Sequence, residues 1–312
     1  MNKTKQAFLL CAMMIPILLA GCMSMSGADN DENKENDYLQ DDYEKENYVS
    51  IQEYTGEGYT LYNANKDYGG IAEENRDSVV AAVEQYFIDN YSTEVEVHNI
   101  VSAMDGVTVF VESVGEPHFN TFAIVPIDLQ NEEIKTDSVW SRDGQVEYAI
   151  KGGLYAMAFA DEFAKLDDYL DGVAEKYDVI GTPIEIVRNV QGHGYSTPFY
   201  FIGTVGNVFE NLYEKYMDNP EITKQEMKTF FEENKLEPKN VNVNIEFFMK
   251  INDTEPDEDI FDQIVTDIED MEGIPTGGYS ISLNDNYIDK TRGDGIKESS
   301  LERTFPDVIL KD

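Results

Sequence analysis

Residues 241–251 read VNVNIEFFMKI and contain the clearest strand pattern in the chain. Apolar and polar side chains alternate through the stretch, and successive side chains of a strand point to opposite faces of a sheet. The alternation predicts a buried face formed by Val241, Val243, Ile245, Phe247, Met249 and Ile251, and a wet face formed by Asn242, Asn244, Glu246 and Lys250. A long strand with one wet face is typical of an antiparallel sheet.

The patterns on either side of this strand predict an α+β fold. Helical spacing of apolar residues is found at 71–91, 144–177, 208–216, 223–231 and 260–268. Thr223 and Glu226 form a capping-box pattern that predicts the start of the fourth of these helices. Strand patterns are found at 48–59, 95–101, 107–111, 119–127, 184–187, 199–205 and 279–283, and the residues that follow read as a polar tail. Asp105-Gly106, between the second and third of these strands, predicts a two-residue hairpin turn. Helices and strands are grouped rather than strictly alternating, which favours antiparallel sheets packed by amphipathic helices. The pattern leaves open two similar subdomains that meet near residues 178–183.

A lipid-attachment motif ends the apolar segment at the N-terminus. Two lysines precede residues 7–20 (AFLLCAMMIPILLA), which are too short to span a bilayer and resemble the core of a signal peptide. The segment leads into Leu-Ala-Gly-Cys at 19–22. Cleavage before such a cysteine and alkylation of its thiol need small residues at the two preceding positions. We therefore predict a signal peptide over 1–21, lipidation of Cys22 with palmitate-type chains, and a location on the outer face of the cell membrane.

The segment after the predicted lipidation site has the composition of a tether. Nine carboxylates and two lysines lie between residues 29 and 46, with almost no aliphatic side chains. Such a segment buries too little apolar surface to offset its ordering entropy. We therefore predict an acidic disordered tether over 22–47 and a globular α+β region over 48–312.

Charge and cysteine content exclude several classes of partner and site. The formal net charge of −39 would become −41 without the two N-terminal lysines, and it opposes binding to nucleic acid or anionic polymers. The chain has two cysteines, Cys11 in the predicted signal peptide and Cys22. The globular region therefore has no thiol for a disulfide, a metal ligand or a nucleophile.

The three histidines do not form a recognisable motif. His98 lies in a predicted strand, His118 follows Glu-Pro at a turn, and His193 lies between two glycines. We interpret the first two as structural and the third as the tip of a mobile loop. The sequence lacks a phosphate loop, a His-Glu-x-x-His helix and a nucleophile elbow, and we predict no catalytic, cofactor-binding or metal-ligating residues.

The abundant carboxylates allow only weak predictions. Five acids between Asp253 and Asp259 supply oxygens that calcium prefers, but they lack the glycine and distal glutamate of a calcium loop. Some of them start a predicted helix, where acids are favourable. We expect at most weak binding of divalent cations. Arg292-Gly293-Asp294 matches an integrin-binding tripeptide, and we interpret it as a chance occurrence.

Three long segments resemble a known family. They are YVSIQEYTGEGY (48–59), VHNIVSAMDGVTVFVESVGEPHFNTFAIVPID (97–128) and VWSRDGQVEYAIKGGLYAMAFADEF (139–163). They are similar to a family of lipoproteins from low-GC Gram-positive bacteria whose domain has no assigned function. The resemblance implies a lipid anchor, an acidic tether and an extracytoplasmic globular part, and it implies no reaction.

The sequence thus favours a non-enzymatic, membrane-anchored lipoprotein that binds a protein or small molecule or supports the envelope. A second hypothesis is an envelope hydrolase that uses two carboxylates, since acids are its only plentiful catalytic groups. A third is a solute-binding lipoprotein of an importer. The grouped helices and strands argue against this third hypothesis, because such proteins usually repeat strand-helix units.

Overall fold

Helices and two main sheets make up the chain in a computed structural model that describes residues 38–39 and 41–312. The helices are α1 (Asp42–Asn47), α2 (Lys66–Glu74), α3 (Arg76–Tyr91), α4 (Gln145–Ala158), α5 (Ala160–Lys176), α6 (Ile184–Val190), α7 (Asn207–Asp218), α8 (Lys224–Glu233) and α9 (Glu258–Asp270). The strands are β1 (Tyr48–Ser50), β2 (Val95–Ser102), β3 (Gly106–Ser113), β4 (Asn120–Asp128), β5 (Glu133–Ile134), β6 (Val179–Ile180), β7 (Tyr200–Thr204), β8 (Val241–Met249), β9 (Gly277–Asn284), β10 (Tyr287–Asp289), β11 (Leu301–Arg303) and β12 (Ile309–Lys311). The predicted α+β fold is confirmed.

The first sheet is an antiparallel meander in the order β2-β3-β4-β5. The hairpin predicted at Asp105-Gly106 joins β2 to β3. Val107, Val109 and Val111 are fully buried, as their alternation predicts, and belong to the main hydrophobic core. The intervening side chains of β3 therefore point to the opposite face of this sheet.

The second sheet is built around β8, the strand that the alternating stretch predicts. β8 pairs antiparallel with β7 and β6 on one side and parallel with β9 on the other. The parallel pair needs a crossover connection, which α9 provides. Both β11 and β12 pair antiparallel with the other edge of β9. β11 pairs with its residues 281–283 and β12 with its residues 277–279.

Helix α4 contacts strands of both sheets, namely β4 and β7. Ten of its residues are buried, and two adjacent glycines allow close approach to its neighbours. A Cβ atom on Gly153 would lie 2.6 Å from the carbonyl oxygen of His118, and one on Gly152 would lie 3.4 Å from that of Ile202. Gly153 therefore leaves no room for a side chain, whereas the contact at Gly152 is close but ordinary.

The strand predicted at 184–187 is wrong, because these residues begin α6. A short run of β-branched residues does not distinguish a strand from a buried helical turn. Pro183 precedes the helix, and a proline tends to start one. Helical geometry places Ile186 and Val190 on one face, where they join Phe248 and Ile288 in a second, smaller hydrophobic cluster.

The polar tail predicted after residue 283 is also wrong. Residues 287–311 contribute β10, β11 and β12, and Asn284, Asp285, Asn286 and Asp289 are at most 2% exposed. Hydrogen bonds satisfy these side chains: Asn286, for example, donates to the carbonyl oxygen of Met249 over 2.8 Å. Hydropathy alone does not reveal such burial, because the polar groups are paired inside the protein.

Residues 42–47, which the sequence analysis assigns to the tether, form α1. Tyr43 donates a hydrogen bond to Asp289 over 2.8 Å, which connects α1 to the C-terminal segment. The signal peptide, Cys22 and most of the predicted tether lie outside the described residues, so their boundaries stay predictions. Within the described part, no helix is both long and apolar enough to cross a bilayer. Tyr38–Asp312 form one compact unit.

Candidate ligand-binding cleft

A cleft of about 550 Å³ lies between the two sheets, and we call it the inter-sheet cleft. Residues of β3 and β4 form one wall, and residues of β7 and β8 line it from the second sheet. The first turn of α4 and the loop at 190–194 complete the lining. The cleft thus depends on the packing of both sheets against α4.

Aromatic rings form much of the first wall. Phe110 of β3 and Phe122 of β4 are direct cross-strand partners, with ring centroids 5.9 Å apart. Tyr59 packs edge-on against Phe110, also at 5.9 Å. Thr108 and Ile124 form the adjacent cross-strand pair and also line the cleft. Neighbouring strands hold these side chains in a fixed register, which gives the wall a defined shape.

The polar groups of the cleft are mostly hydrogen-bond donors or neutral side chains. The Arg142 guanidinium lies 6.0 Å from the centre of the Phe122 ring, in the geometry of a cation–π contact. Its charge is also felt at Tyr59: burial raises the pKa of that hydroxyl, and Arg142 opposes the rise. Thr204 is only 3% exposed, and its Oγ1 has no hydrogen-bond partner among the described residues.

The cleft differs from the rest of the protein in charge. The chain has 62 aspartates and glutamates among its 312 residues, yet none of the described residues that line the cleft is acidic. Arg142 makes no ion pair with any carboxylate in the described part of the chain. The acidic residue in the first turn of α4, Glu147, is not among the described residues that line the cleft, and its charge contributes to raising the pKa values of Tyr91 and Tyr213. The inter-sheet cleft is therefore neutral to positive in a strongly negative protein.

The loop around His193 is attached to the fold on both sides. Gly194 forms an antiparallel bridge with Asn120, and Gln145 Nε2 donates to the Gly192 carbonyl over 2.7 Å. The His193 ring stacks on Phe201, with centroids 4.8 Å apart. These contacts contradict the interpretation of His193 as a mobile loop tip and place it in the lining of the cleft.

Beyond the aromatic wall, a carboxylate collects three basic side chains, and we call this group the Glu112 cluster. His98 Nε2, His118 Nε2 and Arg188 Nε each lie 2.9 Å from an oxygen of Glu112. Burial opposes ionisation of this carboxyl, but hydrogen bonds from the three partners lower its pKa below 4.5. The cluster therefore adds no unpaired negative charge next to the cleft.

Two of the three histidines thus converge, which the sequence analysis did not predict. The cause is a β-bulge between Val97 and Asn99, because the extra residue directs His98 toward Glu112. Glu112 opposes Asn120 across the strands, one row beyond Phe110 and Phe122. Asn120 is 1% exposed, and neither its Nδ2 nor its Oδ1 has a partner in the described residues.

A second cavity, of about 310 Å³, is acidic and lies beside the C-terminal segment. Lys297 Nζ lies 2.6 Å from Asp285 Oδ2 and within 6 Å of the ring centres of Tyr38, Tyr48 and Tyr287. We call this group the Lys297 cage. The cage joins the first described residues of the chain to its C-terminal segment.

The remaining motifs have structural explanations. Asp257 caps α9 by accepting a hydrogen bond from the Ile260 amide, and Asp253 accepts one from the Tyr287 hydroxyl. Within the described residues, no group of three or more acids, histidines or cysteines is arranged to hold a metal ion. Arg292-Gly293-Asp294 lies in a tight turn closed by a bridge between Asp289 and Asp294, not in a free tail. Cys22 lies outside the described residues.

Comparisons with known proteins identify a family and a fold. A family model described as a protein of unknown function, DUF1672, matches residues 41–311. The crystal structure of a DUF1672 family protein from Staphylococcus aureus subsp. aureus Mu50 is similar, with a TM-score of 0.68 and 18% identity. The similarity covers 85% of this chain and 98% of the other. At this identity it shows the fold alone. A search of curated proteins found no match.

Proposed function

The chain belongs to the DUF1672 family, whose description gives no activity, and on that premise we propose that it is a lipid-anchored extracytoplasmic protein that binds a small solute in the inter-sheet cleft. The observation that carries the binding function is the cleft itself. It is concave and has an aromatic wall, and none of the described residues that line it is acidic in a chain that is otherwise rich in acids. Apolar clefts with a few directed polar groups are the usual form of small-molecule sites.

The lipid anchor is supported by Leu-Ala-Gly-Cys at 19–22 after a short apolar segment. Two acyl chains on one cysteine give stable membrane attachment. We also propose that the chain comes from a low-GC Gram-positive bacterium, which the Staphylococcus aureus relative supports.

The anchor is tested by expressing the full chain in such a bacterium with an alkyne-labelled palmitate. We expect Cys22→Ala to abolish labelling and to release the protein from the membrane fraction. Cys11→Ala is the matched control, because it removes the only other cysteine and should leave labelling and fractionation unchanged. Persistent labelling of Cys22→Ala would refute the anchor.

The cleft is tested by a thermal-shift screen of amino acids, sugars, peptides and organic acids. A ligand at 100 times its Kd stabilises the folded state by about 2.7 kcal/mol. Gly203 lines the cleft, and a Cβ at this position would lie 3.8 Å from Asn242, an ordinary contact that the fold accommodates. Gly203→Leu should therefore fill part of the cleft without a clash and abolish such a shift. Gly172→Leu is the matched control, because Gly172 has no neighbouring atom within 4 Å. A shift that survives Gly203→Leu would place the binding site elsewhere.

The hydrolase hypothesis is not supported by the inter-sheet cleft. Hydrolysis of a glycosidic bond by two carboxylates needs a facing pair of acids, and the described lining of this cleft contains none. The acidic cavity contains several carboxylates, but Asp285 in it is bound to Lys297. A binding role therefore agrees better with the inter-sheet cleft.

A further inference from the structure

We propose that the inter-sheet cleft selects a small organic anion with a planar apolar body, and that Arg142 binds its carboxylate or phosphate oxygens. This inference rests on the proposed function, because it names the class of solute that the cleft would take.

Two of the five arginines, Arg142 and Arg292, form no ion pair within the described residues, and of these two only Arg142 lines the cleft. Arg76, Arg188 and Arg303 each lie within 3.2 Å of a carboxylate oxygen. Arg142 has no such partner, although acids are abundant and its own neighbour Asp143 is one. A guanidinium offers a planar set of donors that matches carboxylate and phosphate oxygens. Its bidentate donors are therefore not used by any carboxylate of the described fold.

The aromatic wall adds a site for the apolar part of the ligand. Phe122 lies beneath the Arg142 guanidinium, and Phe110 and Tyr59 continue the wall from it. Aromatic faces favour stacked or edge-on contact with planar groups. A molecule with an anionic group at Arg142 could therefore place a planar body along these rings.

Two further groups favour an acceptor-rich ligand. Thr204 lines the cleft and is only 3% exposed, and its hydroxyl oxygen is buried and has no hydrogen-bond partner among the described residues. A buried donor without a partner is costly, and a ligand oxygen would satisfy it. Gln145, the first residue of α4, lines the cleft, so the positive end of the helix dipole lies beside it, and the N-cap residue Gly144 provides no side-chain cap.

The charge of the whole chain makes this selection specific. A net charge of −39 attracts cations to most of the surface and repels anions from it. The cleft is an exception, because its described lining contains Arg142 and no acid. A cation would find better sites elsewhere on the protein, whereas an anion finds favourable groups here.

The test compares three probes that share one ring: benzoate, phenyl phosphate and benzamide. Binding to the full chain is measured by ligand-observed NMR and calorimetry. We expect one or both anions to bind about tenfold or more tightly than the neutral benzamide, as for a hydrogen bond to a charged group. Comparison of benzoate with phenyl phosphate identifies the preferred anionic group.

Arg142→Gln should remove the preference for the anions, because it keeps a polar side chain and deletes the charge. Arg303→Gln is the control for net charge, since it deletes the same charge on β11, outside the cleft. Equal affinity for benzamide and the anions in the unmodified protein would overturn the inference. So would an unchanged preference in Arg142→Gln, or the absence of binding by all three probes.

These outcomes remain separate from failure of the proposed function. If the screen finds a neutral ligand whose binding is lost in Gly203→Leu, the cleft is a binding site and only the preference for anions is refuted. If no compound binds, or if every ligand binds Gly203→Leu equally, the proposed function fails as well.

Discussion

Removal of the Lys297 charge should destabilise the protein strongly, although the sequence around it reads as a polar tail. The Lys297 side chain is 11% exposed and that of Asp285 is 1% exposed, so solvent screens their contact very little. Lys297→Met keeps the apolar stem against Tyr48 and Tyr287 but leaves the Asp285 carboxylate buried without its counter-ion. Breaking a buried pair from one side typically costs about 3–5 kcal/mol.

The lower end of that range applies here, because Asp285 still accepts a hydrogen bond from the Tyr287 amide over 2.8 Å. We therefore expect a loss of about 3 kcal/mol in the free energy of unfolding. With a urea m-value of about 1–3 kcal/mol/M, the midpoint should fall by about 1 M or more. Unfolding in urea, followed by far-UV circular dichroism, measures this change.

The loss should also depend on pH. Burial raises the pKa of Asp285 above its usual value, and Lys297 counteracts this rise. Without Lys297 the pKa of Asp285 should rise further, so the folded state holds a proton that the unfolded state has lost. Such a group stabilises less as pH rises through its folded pKa. The cost of Lys297→Met should therefore be greater at pH 7 than at pH 5.

Lys239→Met is the matched control, because Lys239 forms an ion pair with Glu237 that is largely exposed to solvent, with side chains 77% and 50% exposed. Exposed pairs contribute about 0–1 kcal/mol. The double variant Asp285→Asn/Lys297→Met should lose less than Lys297→Met alone, because it leaves no unpaired buried charge. If Lys297→Met costs no more than the exposed control, or if its cost is the same at both pH values, the argument from burial is refuted.

Two further predictions concern packing and pH. Gly153→Ala should cost about 1–3 kcal/mol, because its Cβ would lie 2.6 Å from the His118 carbonyl oxygen, whereas Gly172→Ala, in open space, should stabilise α5 by up to about 1 kcal/mol. Urea unfolding distinguishes the two, and equal effects would contradict the close contact. Burial raises the pKa of Glu246 from 4.5 to about 7, so the folded state retains a proton and stability should fall as pH rises from about 4.5 to 7. Glu246→Gln should flatten this part of the stability curve, and an unchanged slope would assign it to other groups.

Local sequence patterns predicted the helices and strands that need only an apolar surface to pack against. The alternation at 241–251 predicted β8, but the strand ends at Met249, and Ile251, predicted on the buried face, is 53% exposed. Asp105-Gly106 predicted the first hairpin, and Thr223 with Glu226 forms the predicted capping box of α8. The prediction failed at α6 and after residue 283. In both places the local structure depends on contacts that the local pattern does not show. These are apolar contacts with Phe248 for α6, and polar pairs such as Lys297 with Asp285 for the C-terminal segment.

One wall of the candidate site could be predicted from the sequence in the same way. Because Val107, Val109 and Val111 point into the core, the residues between them must point outward. The hairpin pattern then places Phe110 on that outer face, with Glu112 one row further along. What covers this face was not predictable, because α6 and the loop at Tyr59 reach it from distant parts of the chain. The bulge that directs His98 to Glu112 leaves no signal in an otherwise regular alternation.

A different signal does mark the cleft, namely the spacing of acids along the chain. Asp and Glu make up 62 of 312 residues, yet residues 186–209 contain none, the longest such run after residue 28. Shorter runs without acids include 106–111, 117–127 and 148–160, and residues from these three and from 186–209 line the inter-sheet cleft. A further run at 273–284 does not reach the cleft. The net charge of −39 describes the protein as a whole. The cleft lies where several segments without acids meet. In a strongly acidic protein, stretches without carboxylates are therefore candidates for the walls of one site, because the repulsion of an anion is weakest where they converge.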